Sequence, residues 1–290
     1  MLVPNLDQVA DLLGGLQSET IGGAIDLRLY SPVPQGAARG VAVFDTYAEI
    51  FDHRAGAYHS AMRKWTHARD AEFRSVLEPI RHAPDGLVCD MPSGGGYLAD
   101  YLRPGLHYLG VDPAEDFIAA CSGEMSLNTL NCPIAEVPLP DGAVDYIISL
   151  AGLHHEPSLP AVFAEMHRLA RPGGRVVIAD VAVGTGPARF LNGFVASNNP
   201  RGHDGHFLDA GTRALVEAAG LAVADDALIE VPWAFANAAE AGAFCGELFG
   251  LSGPSAVEVA EALASEIGFD QADGRVHLRW SLRRIVCDVA

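Results

Sequence analysis

The sequence predicts an α/β fold with a doubly wound, mostly parallel sheet, and two observations support this prediction. Short apolar runs alternate with helical patterns through the centre of the chain, and the connections between them are short. A glycine-rich turn follows the first apolar run at residues 92–96. Parallel strands need crossover connections, which are commonly helices, so the alternation predicts a sheet that helices cover on both faces.

The elements belong to a domain that we place at residues 45–290, behind an N-terminal extension at 1–44. Apolar residues at three- and four-residue steps predict a helical segment at 45–82, and a helical insert is predicted at 233–268. The predicted strands are 86–91, 107–111, 144–150, 175–182, 227–231 and 276–286. The other predicted helices are 97–102, 113–121, 159–169 and 210–219.

The charge balance excludes several classes of function. The 290 residues include 37 acidic and 19 basic ones, which gives a formal net charge of −18. An acidic protein of this kind suits neither the phosphate backbone of a nucleic acid nor an anionic membrane surface, so neither partner is predicted. No apolar run reaches the roughly 20 residues of a membrane span, and no signal-peptide pattern is found. We therefore expect a cytoplasmic protein.

Cysteine and lysine usage narrows the chemistry further. Five cysteines are scattered without CxxC spacing, which predicts neither a disulfide framework nor a zinc site. Lys64 is the one lysine of the chain, and it lies in a helical pattern. Schiff-base catalysis and a phosphate-binding GxxxxGK[ST] loop are therefore excluded, because each needs a lysine in a defined setting.

The glycine-rich turn and an aspartate on the next strand predict a nucleoside site. Three consecutive glycines, Gly94 to Gly96, permit close approach of a ligand to the backbone. Asp112 follows Asp90 by 22 residues, at the end of the second predicted strand. In doubly wound sheets an acidic group there binds the hydroxyls of a ribose. The alternatives are that the glycines form only a turn and that Asp112 caps the helix beginning at Pro113.

These motifs resemble those of the class I S-adenosylmethionine-dependent methyltransferases. The string Asp90-x-Pro-x-Gly94-x-Gly96 is similar to their acidic-x-Gly-x-Gly-x-Gly loop. Three further strings, in the order of the family, are similar to its second strand, its fourth strand and the turn into its fifth strand: 108–113, 135–155 and 169–178. The resemblance is greatest to the small-molecule methyltransferases of the ubiquinone-biosynthesis type. It implies a seven-stranded Rossmann-like sheet and S-adenosylmethionine as cofactor.

The resemblance also implies which residues hold the cofactor. The glycine turn would lie along its methionine part, Asp112 would bind the ribose, and two later segments would border the adenine and the methionine. The implied cofactor residues are Asp90, Pro92, Ser93, Gly94, Gly95, Gly96, Asp112, Pro113, Ala135, Glu136 and Leu150. The sequence departs from the family at Pro92, which replaces its first glycine and removes an N–H, and at Ile134, which replaces a frequent aspartate.

Four histidines are the candidate proton acceptors, because histidine is the usual base near neutral pH. His154 and His155 follow the third predicted strand, and either close a loop or act in catalysis. His203 and His206 lie in a polar, glycine-rich segment after Asp180, which we expect to close over the acceptor without anchoring in the core. No second ligand cluster is predicted near these two, so no metal site is expected.

The predicted function is methyl transfer to a small, aromatic or otherwise apolar metabolite by in-line displacement. The resemblance implies that the helical segment at 45–82 is a lid over the cofactor. Tyr58, on this lid, is a candidate substrate contact, or else part of a buried stripe with Met62 and Trp65. The alternatives are a different reaction on the same fold and a non-catalytic protein that binds the cofactor. The sequence does not determine the acceptor atom or the oligomeric state, and a homodimer is one of the states left open.

Overall fold

The computed structural model describes residues 47–119 and 128–290, so the predicted extension at 1–44 and Cys121 lie outside the described residues. The strands within these ranges are β1 (Gly86–Asp90), β2 (Leu106–Asp112), β3 (Thr129–Asn131), β4 (Val144–Leu150), β5 (Ala170–Asp180), β6 (Ala222–Glu230), β7 (Trp233–Phe235), β8 (Phe269–Ala272), β9 (Arg275–Leu278) and β10 (Ser281–Asp288). The helices are α1 (Tyr47–Lys64), α2 (Asp70–Leu77), α3 (Glu115–Ala119), α4 (Leu159–Leu169), α5 (Gly186–Arg189), α6 (Ala196–Asn198), α7 (Thr212–Ala218), α8 (Ala238–Leu248) and α9 (Ala256–Glu266).

Seven strands form one sheet in the order β3-β2-β1-β4-β5-β10-β6. Strands β1 to β5 pair in parallel, and β10 runs antiparallel to both β5 and β6. The prediction of a seven-stranded, mostly parallel, doubly wound sheet is thus confirmed. Of the described helices, none combines the length and the apolar character that crossing a membrane requires.

The sheet separates two apolar cores, because successive side chains of a strand point to opposite faces. Ile147 of β4 packs in the core that contains Phe163 of α4, while its neighbour Ile148 packs in the core that contains Phe73 of α2. The central strands are apolar on both faces, as parallel strands buried on both sides require. The second core extends into the region predicted as an insert, through residues such as Trp233.

The end of the chain differs from the sequence-based expectation. The predicted strand 276–286 is two strands, since β9 belongs to a separate three-stranded sheet of order β7-β9-β8 and β10 joins the main sheet. Trp280 lies between them, 3% exposed, and its ring stacks on that of Trp233 with centroids 4.2 Å apart. Burial of this ring ends β9 before the chain enters β10. The insert contains helices α8 and α9 together with this small sheet.

Two local predictions were wrong. The helix predicted at 97–102 is a 3-10 turn, Tyr97–Tyr101. The segment after Asp180, predicted as a loop without core anchors, is helical from residue 186 to 198, with a π-helical turn at Phe190–Val195. Phe190, Leu191 and Val195 are buried there. The π-helical turn is wider than an α-helical one and changes the spacing of the buried residues. A search for apolar residues at the α-helical period of 3.6 therefore does not detect them.

Candidate active site

A cavity of about 700 Å³, open solvent at its mouth included, lies at the carboxyl edge of the main sheet. Pro92, Leu150 and Val181, which follow or end β1, β4 and β5, all line it. This is the edge at which open α/β sheets bind their ligands. We call this space the central cavity. Its other walls come from α1, α2, the turn after β4, the helical segment after β5 and the insert.

Gly94 presents open backbone to the central cavity. Gly94, Gly95 and Gly96 have φ of +54°, +91° and +78°, a region that side chains disfavour. A Cβ atom on Gly94 would meet nothing closer than the Tyr58 hydroxyl at 3.8 Å. A Cβ atom on Gly95 would stand 2.5 Å from Cε1 of His59. Gly94 thus leaves space for a ligand, whereas Gly95 leaves space for a side chain of the protein.

Asp112 fixes the glycine turn from behind. Its Oδ2 accepts a hydrogen bond from the Gly94 N–H at 2.9 Å, and its Oδ1 accepts one from the Ala114 N–H at 3.0 Å. The second bond is the capping contact that the alternative interpretation predicted. The carboxylate is fully buried, so ribose hydroxyls can reach it only after neighbouring residues move. Glu156, which the sequence analysis missed, lies near enough that the Asp112 charge adds to burial in raising its pKa to about 7.

The residues of the turn fit S-adenosylmethionine in its methionine half. Pro92, Gly94 and Leu150 line the central cavity, and the space in front of Gly94 admits the backbone approach that such a ligand makes. Asp90 and Ser93 lie beneath the turn, buried. The Tyr108 hydroxyl donates to Asp90 at 3.1 Å, and burial raises the pKa of the Asp90 carboxyl.

Several predicted cofactor residues lie outside the lining of the central cavity. Glu136 is exposed, Ala135 is half-buried against the core, and Pro113 is half-buried at the start of the α3 region. Gly95 and Gly96 belong to the turn but do not line the cavity. Ile134, where the family often has an aspartate, is 1% exposed and packs in the core that contains Phe163.

Three of the four predicted histidines meet in the wall of the central cavity. His154, His155 and His203 line the central cavity, with ring centroids 4.1 Å, 5.6 Å and 5.1 Å apart for the pairs 154–155, 154–203 and 155–203. We call these three side chains the histidine cluster. The expectation that no other ligand group lies near His203 was wrong, because the turn after β4 and the segment after β5 end at the same sheet edge. The His206 side chain is exposed, outside the cavity lining.

Two hydrogen-bond acceptors orient two of the three rings of the histidine cluster, those of His154 and His203. The buried Asp180 carboxylate is 2.7 Å from His154 Nδ1 and also accepts the His154 backbone N–H at 3.2 Å. Asn192 Oδ1 is 2.7 Å from His203 Nδ1. Burial lowers the pKa of His155, and the charges of His154 and His203 lower it further. Burial, followed by the charge of His154, lowers the pKa of His203 to about 3.

A buried polar network forms the wall beside Tyr58, and the sequence analysis missed it. Arg69 makes two hydrogen bonds to Glu72, at 2.6 Å and 3.0 Å, and donates to the Tyr58 hydroxyl at 2.8 Å. The Trp233 indole donates to Glu72 Oε2 at 2.9 Å. Burial raises the pKa of Tyr58, which keeps its hydroxyl protonated at neutral pH. The i, i+3 spacing of Arg69 and Glu72 was a visible signal, but such pairs are usually solvent-exposed.

Comparison with known proteins identifies the domain. Residues 89–178 match the family described as "Methyltransferase domain". The tRNA (carboxymethyluridine(34)-5-O)-methyltransferase ALKBH8 of Macaca fascicularis is 29% identical over 141 residues, 47% of this chain and 19% of that protein. The ubiquinone/menaquinone biosynthesis C-methyltransferase UbiE of Geotalea daltonii is 27% identical over 144 residues, 46% of this chain and 61% of that protein. This chain thus spans less than two thirds of the length of either relative.

The fold has solved counterparts as well. A Thermotoga maritima protein described as a S-adenosylmethionine-dependent methyltransferase, possible histamine N-methyltransferase, superimposes with a TM-score of 0.58 at 13% identity. The likeness covers 84% of this chain and all of that chain, and at this identity it shows the fold alone. The domain match and the named relatives identify a class I S-adenosylmethionine-dependent methyltransferase domain in this chain, and the solved structure agrees with its fold.

Proposed function

We propose that the protein transfers a methyl group from S-adenosylmethionine to a small molecule bound in the central cavity. One observation carries the proposal: Gly94 and the histidine cluster line the same cavity. The cofactor supplies a methyl group activated on a sulfonium. The protein's own part is to hold an acceptor between these two walls and to exclude water, which is most of what an in-line displacement requires.

The walls of the cavity support a small aromatic or apolar acceptor. Trp233, Phe249 and Trp280 line it, and all three rings are stacked on one another, with centroids 4.2 to 6.4 Å apart. Aromatic walls bury a flat apolar molecule well. Some relatives are named as tRNA methyltransferases, but a net charge of −18 opposes binding to a phosphate backbone. The acceptor class is therefore proposed to be a metabolite rather than RNA.

His154 is the member of the histidine cluster best placed as a proton acceptor. A carboxylate such as that of Asp180 only accepts hydrogen bonds, so the His154 ring carries its proton on Nδ1. Its Nε2 then keeps a lone pair, and a second bond from the His154 backbone N–H to Asp180 holds the residue in place. Orientation of a histidine by a buried carboxylate is the arrangement found in acyl-transfer triads. These contacts support His154 as the histidine base of the proposed reaction.

The test is to incubate the protein with S-adenosylmethionine and a fractionated metabolite extract or tRNA. We expect one small molecule to gain a CH₂ unit by mass spectrometry, with one equivalent of S-adenosylhomocysteine formed. Gly94→Val serves as the control that should form neither product. Cofactor binding without either product would favour another reaction on the same fold, and methylated tRNA would overturn the assignment of a metabolite.

A further inference from the structure

We propose that His154, His155 and His203 bind a divalent transition metal of the Zn²⁺ type, which holds and activates an oxygen atom of the acceptor. One ring nitrogen from each residue lies within 4.8 Å of the other two. Three imidazoles offer nitrogen donors of intermediate softness, which suit Zn²⁺ and its neighbours in the first transition row. The set contains no carboxylate ligand, so Mg²⁺ and Ca²⁺, which prefer oxygen, fit it poorly.

The partners of the rings support a ligand role for two of the nitrogens. Asn192 Oδ1 accepts the Gly205 backbone N–H at 2.9 Å, so the amide is oriented with this oxygen towards His203. His203 must then donate from Nδ1, which leaves the lone pair of Nε2 free to bind a metal. Asp180 leaves Nε2 of His154 in the same state. Histidines that ligate metals usually donate their other N–H to such an acceptor.

The geometry corresponds to an open site. Zinc–nitrogen bonds of about 2.0 to 2.1 Å place tetrahedral ligand nitrogens about 3.4 Å apart. The present spacing of up to 4.8 Å therefore closes by up to about 1.4 Å on binding, through rotation of the side chains. All three ligands line the central cavity, so a fourth coordination position opens into it. Three protein ligands and one open position are typical of catalytic zinc sites.

The metal would change how the acceptor loses its proton. An acceptor hydroxyl that binds the metal becomes more acidic and releases its proton to water. The oxygen's electron pair then forms the bond to the methyl carbon while the carbon–sulfur bond breaks, and neutral S-adenosylhomocysteine leaves. The acceptor class is therefore an oxygen acid, such as a phenol, an enol or a hydroxy acid. This inference rests on the proposed function for the location of the acceptor, and it gives His154 the role of a ligand rather than of a base.

The first experiment measures metal binding without any turnover. Full-length protein without a polyhistidine tag is stripped with a chelator and titrated with Zn²⁺ by calorimetry. We expect one equivalent to bind, and His203→Ala to weaken binding by about 10²-fold or more. The Asp180→Asn variant should weaken it by about 10- to 100-fold, the usual effect of removing an orienting partner. His67→Ala, at a histidine whose side chain is 76% exposed, is the matched control and should bind as the parent does.

Cobalt gives a second readout that does not depend on a single variant. Co²⁺ bound by the three imidazoles should produce the visible absorption of a four- or five-coordinate site, and Zn²⁺ should displace it. Equal Zn²⁺ affinity in His203→Ala and His67→Ala, both shown to be folded by circular dichroism, would overturn the metal site. The same holds for a chelated protein that takes up less than one equivalent.

Methyl transfer is then assayed separately on metal-free and Zn²⁺-loaded protein. Higher turnover in the loaded form, reversed by a chelator, supports the inference. Metal binding with no CH₂ gain in any acceptor would leave the metal site standing and overturn the proposed function. Full turnover in the stripped protein would leave the proposed function standing and overturn the role of the metal in the reaction. His154 would then return to the role of base.

Discussion

The two walls of the central cavity are built in different ways. The wall that we propose faces the cofactor comes from one turn, residues 90–96, and the strand end at Asp112 that holds it. The wall that we propose faces the acceptor is assembled from α1, α2, the turn after β4, the segment after β5 and the insert. The first wall consists largely of backbone and short side chains, whereas aromatic rings and buried charges form the second. The first can therefore be recognised within about twenty residues of sequence, and the second only after folding.

The largest expected effect tests the backbone character of the cofactor wall. Gly94→Val should reduce S-adenosylmethionine binding below detection in calorimetry. The new side chain would occupy the space between Gly94 and Tyr58, and φ of +54° is unfavourable for a β-branched residue. The control Gly173→Val has a similar φ of +76° with no atom within 4 Å of its Cβ position, far from the cavity. It should carry the backbone strain alone and retain cofactor binding.

A variant at the next glycine separates ligand space from packing space. Gly95→Ala should lower stability, because its Cβ would lie 2.5 Å from the His59 ring, and should affect affinity only through that loss. Near-native binding by Gly94→Val, or equal loss of binding by Gly173→Val, would show that the turn does not receive the cofactor in the way proposed.

The second prediction concerns the acceptor wall. Glu72→Leu should lower the free energy of unfolding by about 3 to 5 kcal/mol, because it leaves the buried Arg69 guanidinium without its carboxylate partner. It also removes the acceptor of the Trp233 indole. Urea denaturation followed by circular dichroism measures the change. Arg74→Ala is the control, since Arg74 pairs with Asp70 at the surface with 69% of its side chain exposed, and should cost less than about 1 kcal/mol. Equal costs for the two would mean that Arg69 finds another partner.

The same contrast explains what could be read from the sequence. The central strands and the glycine turn follow from local patterns, and β1, β2, β4 and β5 lie where these patterns predict them. The Arg69–Glu72 pair was not recognised as buried, because Trp233, which covers it, is 161 residues beyond Glu72. The histidines were found one by one, but their convergence depends on two separate segments ending at one sheet edge. The helical turn at Phe190–Val195 was missed because its spacing is not that of an α-helix.

The third prediction is smaller and returns to the cofactor wall. Asp112→Ala should weaken S-adenosylmethionine binding by about 1.5 to 3 kcal/mol, or about 10- to 150-fold, the range for hydrogen bonds to a charged group. The variant also removes the carboxylate acceptor of the Gly94 and Ala114 N–H groups, which can lower stability. The melting temperature is therefore measured together with the affinity. Unchanged affinity in a folded variant would leave Asp112 with the capping role alone.

The smallest effect concerns the frame that carries the acceptor wall. Arg283 of β10 makes two hydrogen bonds to Asp226 of β6, at 2.8 Å and 2.7 Å, and both side chains are largely buried. These bonds lower the pKa of Asp226 in the folded protein below its usual value of 3.8. Its contribution to stability is therefore complete above about pH 4 and is lost as the pH falls through the lowered pKa.

We accordingly expect Asp226→Asn to lower the free energy of unfolding by about 1 kcal/mol at pH 7, and the difference from the parent to shrink below pH 4. Urea midpoints at pH 7 and pH 3 measure it. The control is Asp225→Asn, on the same strand, whose side chain is 49% exposed and meets Arg284 at 3.1 Å. A difference that stays constant between the two pH values would mean that the charge of Asp226 contributes nothing. Because β6 and β10 hold the insert and not the glycine turn, cofactor affinity should not change. A loss of affinity would show that the two walls of the central cavity are not independent.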